Sequence, residues 1–218
     1  MKNGFKCLIF AMSTVPLLLQ GATVQHAKFR GDMATWDVSW YDYETCGSDS
    51  SFTQISIIAF TVKEQATSQP AAHIFAQKYD ACRRVYTEAF GDADPSALTF
   101  LAKGRLDETW VNATFKGVVT RSNIDTWDVI SSGEDVVVSL VWKGSGEISK
   151  ETQRFLFHPS SCTSLSQTSS GLSRNAEASG SIRIGAEELI RGIPPTNPLG
   201  SLMDSQNSTI TWAKKCGP

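Results

Sequence analysis

The bases available to a nucleophile are few: His73 and His158 lie in the body of the chain, and His26 lies near its start. Nucleophilic hydrolysis needs a serine or cysteine beside such a base. Gly144-Ser145-Gly146 and Ser179-Gly180-Ser181 come nearest to a serine elbow, but they have turn composition without the strand-to-helix setting that exposes a catalytic serine. His73 begins an apolar run and His158 ends one directly before Pro159, so both read as strand-end residues. Carboxylates are more plentiful, and a pair of them would support glycoside cleavage. Asp42, Glu44, Asp107, Glu108, Asp128, Glu134 and Asp135 are the candidates, yet no spacing among them selects a pair at the separation this chemistry requires. Gly91-Asp92-Ala93-Asp94 offers two carboxylates to a calcium ion but lacks the longer alternating-acid loop with a distal glutamate, and reads as a turn. No catalytic residue, metal site or cofactor is assigned.

Aromatic residues give the best hint of binding. Six tryptophans stand at 36, 40, 110, 127, 142 and 212, and indole faces that escape burial can stack on sugars or apolar ligands. Trp36, Trp40, Trp110 and Trp127 are the candidate contact aromatics. Trp36 and Trp40 share a face with Val38, which favours packing between sheets for those two. Arg30-Gly31-Asp32 matches a tripeptide read by some adhesion receptors, although three residues select no receptor and a turn before the first strand accounts for them. Asn112-Ala113-Thr114 and Asn207-Ser208-Thr209 are acceptors for N-linked glycans in a eukaryotic secretory route.

The compartment follows from the N-terminal segment. Lys2 and Lys6 precede an apolar run from Cys7 to Leu19, followed by small and polar residues, as in a secretory signal. The run is short for a membrane-spanning helix and contains Pro16. Residues 1–27 are therefore expected to be a leader, cleaved between 21 and 27, with residues 28–218 as a single disulfide-bonded β domain secreted to an extracellular or periplasmic space. Without the two leader lysines, 18 basic residues face 22 acidic ones, a net charge near −4 that argues against a nucleic-acid partner. No stable membrane span is expected. Cys46, Cys82, Cys162 and Cys216 remain, an even number for an oxidising compartment. Of three possible pairings, Cys46 with Cys82 and Cys162 with Cys216 close the shortest loops. The spacings contain no C-x-x-C pair, so a zinc site is not favoured.

The elements that must position these residues read as strands. Ala34, Trp36, Val38 and Trp40 alternate with polar residues, as on a half-buried strand. Residues 52–62 are apolar on both faces near Ile57 and Ile58, as in a central strand. Further strand-like runs cover 73–79, 83–90, 106–117, 125–132, 135–144, 152–158, 178–185 and 208–215. Asp94-Pro95 and Gly104 frame a segment with helix signals, but Leu98, Phe100 and Ala102 alternate, which favours a strand. Residues 186–191 suggest one helical turn, while the serine-rich stretch 160–181 and the proline-rich stretch 192–200 read as long surface loops. Thr-Trp-Asp-Val occurs at 35–38 and again at 126–129, each time before an apolar run, which raises an internal duplication giving two similar β layers.

The fold expected is all-β with little or no helix: an antiparallel β-sandwich, or alternatively a β-barrel. The function expected is a non-enzymatic module binding a surface, glycan or protein partner through long loops and exposed tryptophans. The alternatives are a secreted hydrolase of unrecognised type and a small-ligand carrier or membrane-active toxin.

Overall fold

The computed structural model describes residues 24–46, 49–64, 67–160, 163–192 and 199–214. In chain order the strands are β1 (Val24–Cys46), β2 (Asp49–Glu64), β3 (Thr67–Asp80), β4 (Val85–Asp92), β5 (Thr99–Lys103), β6 (Glu108–Asn123), β7 (Val129–Ser160), β8 (Thr163–Ile184), β9 (Glu187–Gly192) and β10 (Leu199–Lys214). All pairings are antiparallel. Strands β1 to β4 pair in sequence, β6 continues from β4, and β7 and β8 follow. Strand β10 then lies between β8 and β1, so eight strands close into a ring, with β5 added beside β6 and β9 beside β8. The all-β antiparallel expectation holds, and its layers are parts of one sheet that returns on itself.

Period-two alternation divides inside from outside. On β6, Thr109, Val111, Ala113 and Phe115 are buried, while Trp110 and Asn112 between them are exposed. On β1, Ala34, Trp36 and Val38 point inward and Asp37 and Ser39 outward. Trp36, Phe115 and Trp142, all fully buried, are the largest side chains filling the interior. The Trp142 indole donates to the Thr35 carbonyl at 2.9 Å, which reaches from β7 to the backbone of β1. Trp36 Nε1 is buried in the apolar core without a hydrogen-bond partner among the described residues. An apolar interior beneath an exterior bearing Gln54, Ser56, Asn112, Thr120 and Ser139 is the reverse of a strand barrel that faces lipid. Among the described residues, no helix is long and apolar enough to cross a membrane.

Several local expectations are corrected. The serine-rich stretch is not a loop: from Thr163 onward it is strand β8, whose backbone is paired on one side by β7 and on the other by β10. Ladder hydrogen bonds belong to the backbone, so low side-chain hydrophobicity does not forbid a strand that has two neighbours. Residues 187–192 form β9, not a helical turn, after a turn at 185–186. Residues 124–128 form a turn, and the run expected over 125–132 becomes strand only from Val129. The run at 152–158 is the distal part of β7, not a separate strand. Asp94 caps a 3-10 turn at Pro95–Ala97 before β5, so both signals in that segment are used in succession. The two Thr-Trp-Asp-Val copies occupy unlike places: the first lies inside β1 with Trp36 buried, the second in a turn with Trp127 exposed. Residues 193–198 of the proline-rich stretch lie outside the described residues.

Candidate functional site

Four strands carry an aromatic residue at the same level on the outer face. Tyr41 of β1 stands opposite Phe52 of β2, Phe52 opposite Tyr79 of β3, and Tyr79 opposite Tyr86 of β4. The Tyr41 and Phe52 rings are 4.9 Å apart. At the far side of the row, Tyr86 meets the edge of Trp127 at 6.0 Å. Neighbouring strands are about 4.8 Å apart, so the row spans roughly 15 Å before the tryptophan extends it. Its two ends are open to solvent, Tyr41 at 63% and Trp127 at 66% exposure, whereas the members between them are half-buried.

Trp127 is displayed by a turn held from several sides. Its φ of 60° is left-handed, a conformation costing a residue with a Cβ about 1–2 kcal/mol. Asn123 Oδ1 accepts from the amides of Asp125 at 2.8 Å and Thr126 at 3.1 Å, and the Trp127 amide donates to the Asn123 carbonyl at 2.8 Å. Arg84 closes the clamp by donating to both carboxylate oxygens of Asp125 and, at 2.9 Å, to Asp49. The hydrogen bond and charge of Asp125 raise the Arg84 guanidinium above its ordinary range, and the hydrogen bond from Arg84 lowers the Asp125 carboxyl. The Cys46–Cys82 disulfide, with 5.1 Å between its Cα atoms, ties the end of β1 to the turn carrying Arg84. The end of β1, the start of β2 and the turns at 81–84 and 124–128 are thus linked at one end of the ring. Val129 and Ile130, both exposed, add an apolar rim beside Trp127.

Inside the same end lies a charged cluster. Lys78 pairs with Glu187, and Arg121 pairs with Glu134 at 2.9 Å and with Glu187 at 3.3 Å. Lys78, Arg121 and Glu187 border a cleft of about 120 Å³ together with Asp80, Thr87 and Ile130. Hydrogen bonding from Arg121 lowers the Glu134 carboxyl. Burial pushes Glu187 up, but the bonds and charges of Lys78 and Arg121 outweigh it and leave Glu187 lowered as well. Both carboxylates are therefore kept ionised, whereas acid–base cleavage of a glycoside needs one of its pair held neutral.

A larger cleft, about 370 Å³, opens toward the other end of the ring between Asp32, Arg105, Thr109, Leu202 and Asp204. The β5–β6 turn folds over it, with Leu106 buried, Arg105 3.6 Å from Asp204, and Asp107 held by Arg174 at 2.7 Å. Asp32 belongs to the Arg30-Gly31-Asp32 triplet, which is not in a turn but inside β1 at a bulge, with Asp32 lining this cleft. A Cβ at Gly31 would lie 1.7 Å from the Thr61 carbonyl oxygen, so the glycine is required by the approach of β2.

The structure distributes the remaining candidates. Trp36 belongs to the core, Trp40 is half-buried against it, and Trp110 and Trp127 face outward. The side chain of Trp212 lies outside the described residues, as do those of Asp42, Glu44 and His158 and the pair Cys162 and Cys216. His73 pairs with Asp92 across β3 and β4 and lies 5.7 Å from the Phe60 ring, away from both clefts. Asp94 is taken up by Lys116 and Ser96, so each acid of the 91–94 segment has a partner within the protein. Asp107, Glu108, Asp128, Glu134 and Asp135 are spread over both ends of the ring. Sequence reasoning missed Glu187, Arg121 and the tyrosines of the row. A usable signal existed for one pair, because Tyr79 and Tyr86 are equidistant from the turn around Cys82 and Arg83. No family model, curated protein or solved structure matches this chain.

Proposed function

We propose that the protein is a secreted, non-enzymatic β module that binds a glycan chain along the outer aromatic row from Tyr41 to Trp127. The observation that carries this reading is the row itself, four aromatic residues in cross-strand register extended by a tryptophan held outward in a strained conformation. Aromatic faces attract the electropositive C–H faces of pyranose rings, and a row of them suits a chain better than a single sugar. Arg84, Asp49 and Asp125 beside the row supply directional partners for hydroxyl groups. A clamp of hydrogen bonds, ion pairs and one disulfide fixes the surface before the ligand arrives, which limits the ordering cost of binding.

The test uses protein recovered from secreting cells, whose mass should lack a leader ending between residues 21 and 27. Binding is measured by affinity electrophoresis and calorimetry against a panel of neutral and acidic polysaccharides. At least one glycan should bind, and Trp127→Ala and Tyr41→Ala, the two most exposed rings of the row, should each weaken it by about tenfold or more, as aromatic anchors do. Binding that ignores both substitutions would overturn the site, and binding to no glycan would overturn the ligand class.

A further inference from the structure

Another exposed aromatic stands away from the row, on the outer face of β6, and its neighbour two residues on is the first N-linked acceptor. We infer that Asn112 is an N-glycan attachment site whose first sugar packs on the indole of Trp110. Residues two apart on a strand share a face about 7 Å apart, so Trp110 and Asn112 project side by side. Asn112 is exposed, Trp110 is 40% exposed, and Leu101, directly opposite Trp110 on β5, is 54% exposed. This apolar strip gives a sugar a surface to cover. The ring is already oriented by its Nε1 bond to Glu108 and by Lys103, whose ammonium lies 5.1 Å from the ring centroid.

The asparagine is positioned for the modified form. Its Nδ2 donates to Thr99 at 3.2 Å, and its Oδ1 accepts from Ser139 at 2.7 Å. In the transfer reaction Nδ2 forms a bond to the anomeric carbon of an oligosaccharide carried on a polyprenyl diphosphate. The sugar–oxygen bond to diphosphate breaks, the polyprenyl diphosphate leaves with the electron pair, and one Nδ2 proton is released. The product amide keeps one N–H and its carbonyl, so both existing hydrogen bonds can persist. Because β6 is flanked here by β5 and β7, the acceptor must be modified before residues 129–160 pair with it.

The experiment expresses the full chain behind a heterologous secretion leader in eukaryotic cells, which separates this inference from the expected leader and from the glycan-binding row. Peptide mapping after amidase treatment in heavy-oxygen water should mark residue 112. Amidase removal of the glycan should lower Tm by about 2–4 °C in the parent and by less than half as much in Trp110→Ala, while Trp110→Phe keeps the parent's shift. The asparagine-to-aspartate change is common to all three and cancels in the comparison. Protons of the first sugar should also show upfield ring-current shifts in the unsubstituted glycoprotein, a reading that needs no variant to fold. An unoccupied Asn112 in the secreted protein, equal Tm shifts in parent and Trp110→Ala, or unshifted sugar protons would each overturn the inference.

Discussion

At Trp127, backbone strain and solvent exposure coincide, and neither serves the folded state. A left-handed tryptophan with its ring largely in water sacrifices conformational ease without gaining burial. Replacing it with glycine removes the strain and the ring together. Trp127→Gly is therefore expected to leave stability unchanged or raise it by up to about 1 kcal/mol, while weakening the proposed glycan binding by about tenfold or more. Paired urea titrations and binding isotherms check this, and a loss of stability above about 1 kcal/mol would show that the ring is structural. Trp36 and Trp142 make the contrast: both are fully buried, and Trp142 adds a buried hydrogen bond to β1. Alternation with Val38 marked Trp36 as a core residue in the sequence. Nothing comparable marked Trp127, because the same four letters precede an apolar run in both copies of Thr-Trp-Asp-Val. Turn chemistry at Asn123, not the tetrapeptide, decides the second copy's conformation.

Among the strands, what could be read from sequence was the face each residue takes, and what could not was which strand lies beside which. Periodicity reports burial, whereas neighbours are chosen by backbone hydrogen bonds common to every residue type. The serine-rich β8 was lost for this reason. The aromatic row was lost because its register depends on alignment across three connections, including an irregularity between Asp42 and Thr45. The Cys46–Cys82 bridge, by contrast, follows from closing the shortest loops, and it forms. Cross-linking positions separated by 36 residues should stabilise by about 4 kcal/mol on chain-entropy grounds, with measured values commonly 2–4 kcal/mol. Replacing both cysteines with serine should cost about that much in urea unfolding. It should also speed amide exchange at Arg84 and residues 123–128, since the bridge anchors the turn from which Arg84 holds Asp125. Unchanged exchange there would separate the disulfide from the display of Trp127.

Over the whole molecule, acid stability should reflect carboxylates distributed around the ring. Lys116 and Ser96 hold Asp94 well below its ordinary value of 3.8, and Asp125 is lowered by Arg84. Glu134 and Glu187 lie below their ordinary value of 4.5. A carboxyl depressed in the folded state contributes stability that is fully present above its unfolded value and is lost as pH falls through the folded one. The urea midpoint should therefore be nearly flat near neutral pH and decline from about pH 5 downward. Arg121→Gln should flatten that decline by releasing Glu134, while Lys78 still holds Glu187, and an unchanged slope would show that Glu134 does not contribute to it. The all-β class was legible in the alternating apolar runs, though not in the serine-rich part of β8 or in β9, and the closed order was not legible at all, since it depends on one late strand finding two partners.

That late strand bears on how the chain is made. During synthesis β1 emerges first and β8 much later, and each must wait with an open ladder edge until β10 leaves the ribosome and fills the gap between them. Until then two strands offer unpaired N–H and C=O groups to any passing chain, including a sibling copy. Ring closure is thus a step at which self-association competes with completion, and a chaperone that shields β1 would act during that interval.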